Sequence, residues 1–280
     1  SASRARWPAR STTRIATTIE CFRRAVALDP EYAQAWAGLA DGFTTMAHGG
    51  FAMARDVMPK ALEAARRALQ LDPDLAEAHS ALACAALLWE RDYDLAGREF
   101  RRAMELNPNY AQGRAWYGLW YLHWACGRSD EAHEVLTRLV EGDPLSGYAH
   151  GTMAFHQMTS GRFAESVEHA RRGVALDPNS YLGQFTLSGA LSGAGQYDEA
   201  AAVGERALEM SGRHGWALAT QATIYANWGK MDRARELYAE LSERSEREYV
   251  QPAMVSFAAG RVVGVDEGLA LLRRAVEERD

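Results

Sequence analysis

The sequence predicts an all-α solenoid of helical hairpins, and three observations predict it. A phrase recurs: "FRRAVALDPEYAQAW" at 22–36 returns as "ARRALQLDPDLAEAH" at 65–79, "FRRAMELNPNYAQGR" at 100–114 and "ARRGVALDPNSYLGQ" at 170–184. The prolines Pro30, Pro73, Pro108, Pro144 and Pro178 stand 43, 35, 36 and 34 residues apart, and 34 beyond the last stands Gly212, a second helix breaker. Between them apolar and small residues fall at helical spacing, as in Trp36, Leu39, Ala40 and Phe43, and then Ala61, Ala65 and Ala68. A fixed period of about 34 residues with a helical pattern inside it is the mark of a repeat architecture.

Each unit divides in the same way. Two amphipathic stretches are joined by a turn such as "GRSDEA" at 127–132 or "GQYDEA" at 195–200. Gly suits the left-handed residue that ends a helix, and Ser or Asp suits the cap of the next. The Asp-Pro or Asn-Pro pair then stops the second helix, because the residue before Pro avoids the helical region and Pro lacks the N–H that a helix interior needs. Pro is welcome in the first turn of a new helix, so the same pair opens the next hairpin.

In chain order this gives a partial repeat at 1–32 and full repeats at 33–75, 76–110, 111–146, 147–180, 181–214 and 215–248, closed by a capping hairpin at 249–280. The repeat at 33–75 carries nine more residues than a 34-residue unit, in "MAHGGFAMARDVM" at 46–58. The last hairpin keeps the helical period and loses the closing proline, as a terminal cap would. One hairpin cannot bury its apolar face alone, so neighbours stack and share a core. The aromatic residues at pattern positions, Trp36, Phe43, Phe100 and Tyr121, are read as core.

Composition narrows the function. With 280 residues and 48% hydrophobic content the chain can bury a core, and it lies far from the low-hydrophobicity regime of disorder. A net charge of −6 with both signs interspersed offers no field for nucleic acid. No apolar run reaches the length of a membrane span. Cys21, Cys84 and Cys126 are read as reduced and structural. The opening "SASRARWPARSTTRIATTIE" has the Arg and Ser of a transit peptide and no acid before Glu20. It does not begin with Met, and the chain is read as a piece of a longer protein, cytoplasmic with a periplasmic parent left open.

The pattern resembles the tetratricopeptide repeat. Gly118, Tyr121, Ala132 and Pro144 fit its signature, as do Ala96, Phe100, Ala103 and Pro108, and Leu191, Tyr197, Ala200 and Ala207. The resemblance implies a right-handed superhelical solenoid of about seven to eight antiparallel helix-turn-helix repeats, whose inner wall comes from the first helix of each hairpin and binds peptides. "RSEREYVQPAMVSFAAG" at 244–260, "LRRAVEERD" at 272–280 and "IECFRRAVALDP" at 19–30 are similar to the repeat regions of bacterial regulators joined to a Ser/Thr kinase, an adenylate cyclase or a winged-helix domain. None of those domains is in this sequence.

Carried onto this chain, the groove-facing positions of the family fall on Gln34, Asp41, Glu77, Leu87, Gln112, Leu119, His123, Tyr148, Phe155, Met158, Phe185, Trp216, Thr223 and Asn227, with Trp116 added from a neighbouring position. The positions at which some relatives grip a C-terminal carboxylate hold Ala37, Asp41, Ser80, Cys84, Ala115, Leu119, Gly151 and Phe155, so that clamp is missing. Leu119, Tyr148, Phe155, Met158 and Phe185 suit an apolar helix or extended segment instead. The competing reading is that these side chains fill a narrow superhelix.

Catalytic patterns do not assemble. His150 and His156 are six apart, on different helix faces, and His-Glu-x-x-His and paired Cys-x-x-Cys do not occur; the histidines are read as isolated. "SGALSGAGQYDEA" at 188–200 lacks the strand and the Lys-Ser of a phosphate loop, and "HGGF" at 48–51 lacks a nucleophile turn. Double arginines at 23–24, 66–67, 101–102, 171–172 and 273–274 are read as a solvated outer face.

The expected function is an interaction scaffold for a protein or peptide partner, without a cofactor, metal, nucleic acid or membrane, and with homo-oligomerisation left open. A regulatory segment of an enzyme whose catalytic domain lies elsewhere is the alternative, and a small-molecule or lipid sensor the second.

Overall fold

A computed structural model describes residues 10–277; residues 1–9 and 278–280, on which parts of the transit-peptide-like segment and of the capping hairpin fall, lie outside the described residues. All regular elements among the described residues are helical. Helix α1 (Arg10–Leu28) leads into seven hairpins: α2 (Ala33–His48) with α3 (Ala54–Leu71), α4 (Ala76–Ala85) with α5 (Tyr93–Leu106), α6 (Ala111–Ala115) with α7 (Ser129–Gly142), α8 (Gly147–Thr159) with α9 (Phe163–Leu176), α10 (Tyr181–Gly193) with α11 (Tyr197–Ser211), α12 (Gly215–Asn227) with α13 (Met231–Arg247), and α14 (Pro252–Val262) with α15 (Val265–Glu277).

The joints between hairpins show why Asx-Pro returns. The N–H groups of Asp29, Asp72, Asn107 and Asp177 donate back to carbonyls four residues earlier, closing the helix. The side chains of Asp29, Asp72, Asn107, Asp143 and Asp177 each accept the N–H two residues on, across the proline, at 3.0–3.3 Å. This is an Asx turn, which lets the short carboxylate or amide substitute for a backbone acceptor where Pro interrupts the ladder. Six residues after four of the prolines a side chain reaches back to the proline carbonyl: Trp36 Nε1 to Pro30 at 3.0 Å, His79 Nε2 with Pro73 at 2.9 Å, the Arg114 guanidinium to Pro108, and His150 Nε2 with Pro144 at 3.1 Å. A donor at that position ties α2, α4, α6 and α8 to the joints before them.

Within hairpins the turn residue is left-handed. Gly127, Gly161, Gly195 and Gly229 have φ of +66° to +78°, and the next N–H bonds to a carbonyl in the last turn of the helix just ended. The second full repeat has no Gly there, and Arg91 takes the same conformation (φ 57°, ψ 28°), a strained choice for a residue with a Cβ.

The core is a line of small contacts. Ala40, Ala61, Ala65, Ala68, Ala96 and Ala103 are fully buried, which lets backbones approach closely, and Phe100, Leu136, Leu191 and Leu218 fill the space between them. Phe43, Phe100 and Tyr121 are buried as expected, and Trp36 is partly so. The double arginines are more than a solvated face: Arg66 pairs with Glu90, Arg102 with Asp74 and Arg171 with Glu199, each pair spanning neighbouring hairpins at 2.6–3.1 Å. Exposed pairs of this kind contribute about 0–1 kcal/mol each.

Two stretches depart from the 3.6-residue period that the sequence suggests. α4 continues as a π-helix over Ala86–Glu90, and α6 continues as one over Trp116–Ala125. The wider turn brings aromatic residues four apart over one another. Tyr117 stacks on Tyr121 with centroids 5.8 Å apart, and Trp120 on Trp124 at 6.5 Å. Both ring pairs lie within the π-type stretch "WYGLWYLHWA".

Candidate binding groove

The second residue of each first helix forms one row: Gln34, Glu77, Gln112, Tyr148, Leu182 and Trp216, on α2, α4, α6, α8, α10 and α12. The row is polar in its first three members and apolar in its last three. The two halves meet different fates.

The first half is closed by the chain's own contacts. The Asp41 carboxylate on α2 accepts from the Tyr110 hydroxyl and from Gln112 Nε2, both at 3.1 Å, across two hairpins. Burial pushes this carboxyl up to about 7, opposed by the Tyr110 hydrogen bond and reinforced by the negative charge of Glu77. The Tyr110 hydroxyl is pushed up by burial and then by Asp41. His48, at the end of α2, sits edge-on against Trp116 and Trp120 with centroids at 5.1 and 4.1 Å, and burial lowers its pKa to about 4.

The extra residues of the first hairpin are not a loose loop. They lengthen α2 and α3, and the tip between them reaches the joints near the other end of the chain. The ring of Phe51 lies 4.8 Å from that of His214. Gly50, at φ +71°, lies so close to Met254 that a Cβ there would stand 2.3 Å from its Cε. Between the tip, α1 and the 249–254 joint is an open cleft of about 910 Å³, floored by Ile19, Phe43, Phe51 and Met254 and rimmed by Arg23 and Arg244.

The second half stays open. Tyr148 is 52% exposed and Leu182 58% exposed, while Trp216, Phe155, Met158 and Phe185 are half-buried. Burial raises the Tyr148 hydroxyl, with Asp41 and Cys84 adding to it, although half of the side chain meets solvent.

Several expectations are corrected. Leu87, Trp116, Leu119 and Thr223 are buried and offer no groove surface. Leu87 and Trp116 pack in the core cluster around Phe100, and Leu119 in the one around Leu136, and the Thr223 hydroxyl donates to the Ala219 carbonyl at 2.9 Å. Asp41 and Gln112 are partly buried and bonded to one another. Glu77 is partly buried, and Gln34 and Asn227 are exposed. His123 bridges Ser129 Oγ at 3.1 Å and Thr159 Oγ1 at 3.0 Å, so both ring nitrogens are engaged.

The histidines are not isolated. His156 stands 4.8 Å from His123 and 5.6 Å from His133 between ring centroids, and burial, then the neighbouring His123, lower its pKa to about 4. His150 Nδ1 lies 3.0 Å from His169 Nδ1. The three cysteines are free, yet Cys84 alone is buried; Cys21 and Cys126 are exposed, at the outer face of α1 and in the turn before α7. Leu182 was missed in the sequence because its neighbours in the phrase, "NSYLGQ", break the aromatic pattern; the 34-residue offset from Tyr148 was the signal that points to it.

Residues 191–254 match the family model described as tetratricopeptide repeat. The small glutamine-rich tetratricopeptide repeat-containing protein 2 of Mycosarcoma maydis is 31% identical over 93 residues, covering 32% of this chain and 25% of that protein, so the chain spans about a quarter of its relative's length. Among solved structures, the human IFIT1 dimer with m7Gppp-AAAA aligns with a TM-score of 0.68 and 15% identity over 95% of this chain and 68% of the other. The Cut9-Hcn1 hetero-tetramer of APC/C gives 0.64 and 15% over 90% and 46%, and pilF of Pseudomonas aeruginosa 0.53 and 21% over 73% and 90%. At these identities the structures speak to the fold alone, and with the matched repeat they support a tetratricopeptide-repeat protein, an all-α solenoid of stacked helical hairpins.

Proposed function

We propose that this solenoid is a protein-interaction module that holds an apolar segment of a partner protein along the half of its concave face formed by α8, α10 and α12. The observation that carries the reading is the exposure of Tyr148 and Leu182 at equivalent positions of successive first helices, with Trp216 completing the row. Large apolar side chains lined up at one repeat per step are anchors for a chain that runs across the helices, and such anchors supply most of the energy of an interface. Asp41 and Glu77 near the lumen favour a protein over a phosphate-bearing ligand such as the oligonucleotide in the IFIT1 structure. In this reading the chain performs no chemistry itself and is the regulatory or sensory part of a larger protein, the role that the similarity to bacterial regulators implies.

The test is selection of a phage-displayed peptide library on the wild-type protein, with counter-selection on the double variant Tyr148→Ala, Leu182→Ala. Peptides rich in apolar residues that bind the wild type and lose at least tenfold in affinity for the folded variant are the expected outcome. Peptides that bind both proteins equally, or no enrichment, would sink the proposal.

A further inference from the structure

The last hairpin presents a second apolar surface. On α15 the side chains of Val265, Leu269, Leu272 and Val276 are between 43% and 67% exposed. Their spacing is four, three and four residues, which places them in one stripe of the helix with the alternation of a heptad seam. Gly268 and Ala275 face the body of the protein and are buried, so the stripe is a separate face from the one that docks α15. Val263 and Phe257 of the same hairpin are exposed as well. The outer face of this hairpin is therefore apolar, where a face that met only water would carry polar residues.

Charge says what fits on it. Asp266 and Arg273 flank the stripe on the side away from α14, seven residues apart, and neither forms an ion pair among the described residues. In two α15 helices packed antiparallel about the midpoint between Leu269 and Leu272, Val265 meets the other copy's Val276 and Leu269 meets Leu272. Asp266 of each copy then lies beside Arg273 of the other. A parallel pairing would turn the two copies of this flank to opposite sides of the seam, and Asp266 and Arg273 would not meet. We infer that the protein forms a two-fold symmetric dimer through α15, with a second copy of this chain as the occupant of the seam.

A helix of 13 residues gives a seam of about 20 Å, a small interface, so the dimer is a reversible one that dissociates on dilution. The measurement is sedimentation velocity across a concentration series, from low micromolar upward. The wild type is expected to move from the 30.9 kDa monomer to twice that mass. Asp266→Arg alone places Arg beside Arg, and Arg273→Asp alone places Asp beside Asp, so each variant weakens self-association by about tenfold or more. Mixing the two single variants pairs two arginines with two aspartates and restores a dimer of wild-type affinity, as does the double variant with itself. These substitutions are on exposed positions, and circular dichroism checks that the fold is kept. A wild type that stays monomeric throughout would assign the seam to another occupant, such as a further repeat or a different protein, and overturn the inference. So would single variants that dimerise as well as the wild type, or a mixture that fails to recover.

Discussion

The carboxylate of Asp41 accepts a hydrogen bond from the Tyr110 hydroxyl at 3.1 Å although 69 residues separate them in the chain. The contact ties the first complete hairpin to the third and closes half of the groove with a group that is costly to ionise. Its pKa stands at about 7 in the folded protein, raised from 3.8 chiefly by burial. A group whose folded pKa is raised contributes its full stability below the unfolded value and loses it as pH rises through the folded one. Asp41→Asn keeps an acceptor for Tyr110 and cannot ionise. The variant is expected to match the wild type near pH 3.8 and to be more stable by roughly 1–4 kcal/mol above pH 7, measured by urea unfolding across that range.

Histidines work in the opposite sense. His48, His156 and His214 are each held near 4, below 6.5, with burial as the leading cause. Their contribution is present above pH 6.5 and is lost as pH falls toward 4. In the Asp41→Asn background, which removes the opposing carboxyl, the melting temperature should fall steadily between pH 6.5 and 4. His156→Gln should make that fall shallower, and an unchanged slope would show that His156 is not buried in its neutral form.

Arg91 occupies a left-handed turn position that four other hairpins give to Gly. Arg91→Gly removes that strain and is expected to stabilise the protein by about 0.5–1 kcal/mol, whereas Gly195→Ala is expected to cost about 1 kcal/mol. Chemical denaturation of the two variants checks both signs.

The tip of the first hairpin is the other long-range tie. Gly50→Ala introduces a Cβ against Met254 at a positive φ, and a loss of about 1–2 kcal/mol is expected. Met254→Ala empties the same contact. A double-mutant cycle between the two should show coupling, because the second substitution relieves the clash made by the first.

Much of this was legible in the residues. Asx-Pro and Gly act through the conformations of two or three neighbouring residues, so their period located the joints and turns without knowledge of anything distant. The row Gln34, Glu77, Gln112, Tyr148, Trp216 came with the resemblance to the tetratricopeptide repeat, and the exposed Leu182 belongs to it by the 34-residue step that leads from Tyr148 to Leu182 and on to Trp216. Inside "WYGLWYLHWA" the carried-over positions failed: Trp116 and Leu119 are buried, in a stretch whose π-type hydrogen bonding local residue spacing does not announce.

By itself the sequence determined the hairpin, its caps and the fact of stacking, because these depend on local backbone preference and on an apolar face that must be covered. Tertiary structure alone decided that Asp41 meets Gln112, that Phe51 meets His214, that three histidines share one space and that α15 keeps an apolar stripe in solvent. Those outcomes depend on how far each hairpin rotates on the one before. A small angle repeated over several repeats sets which distant side chains arrive at the same place.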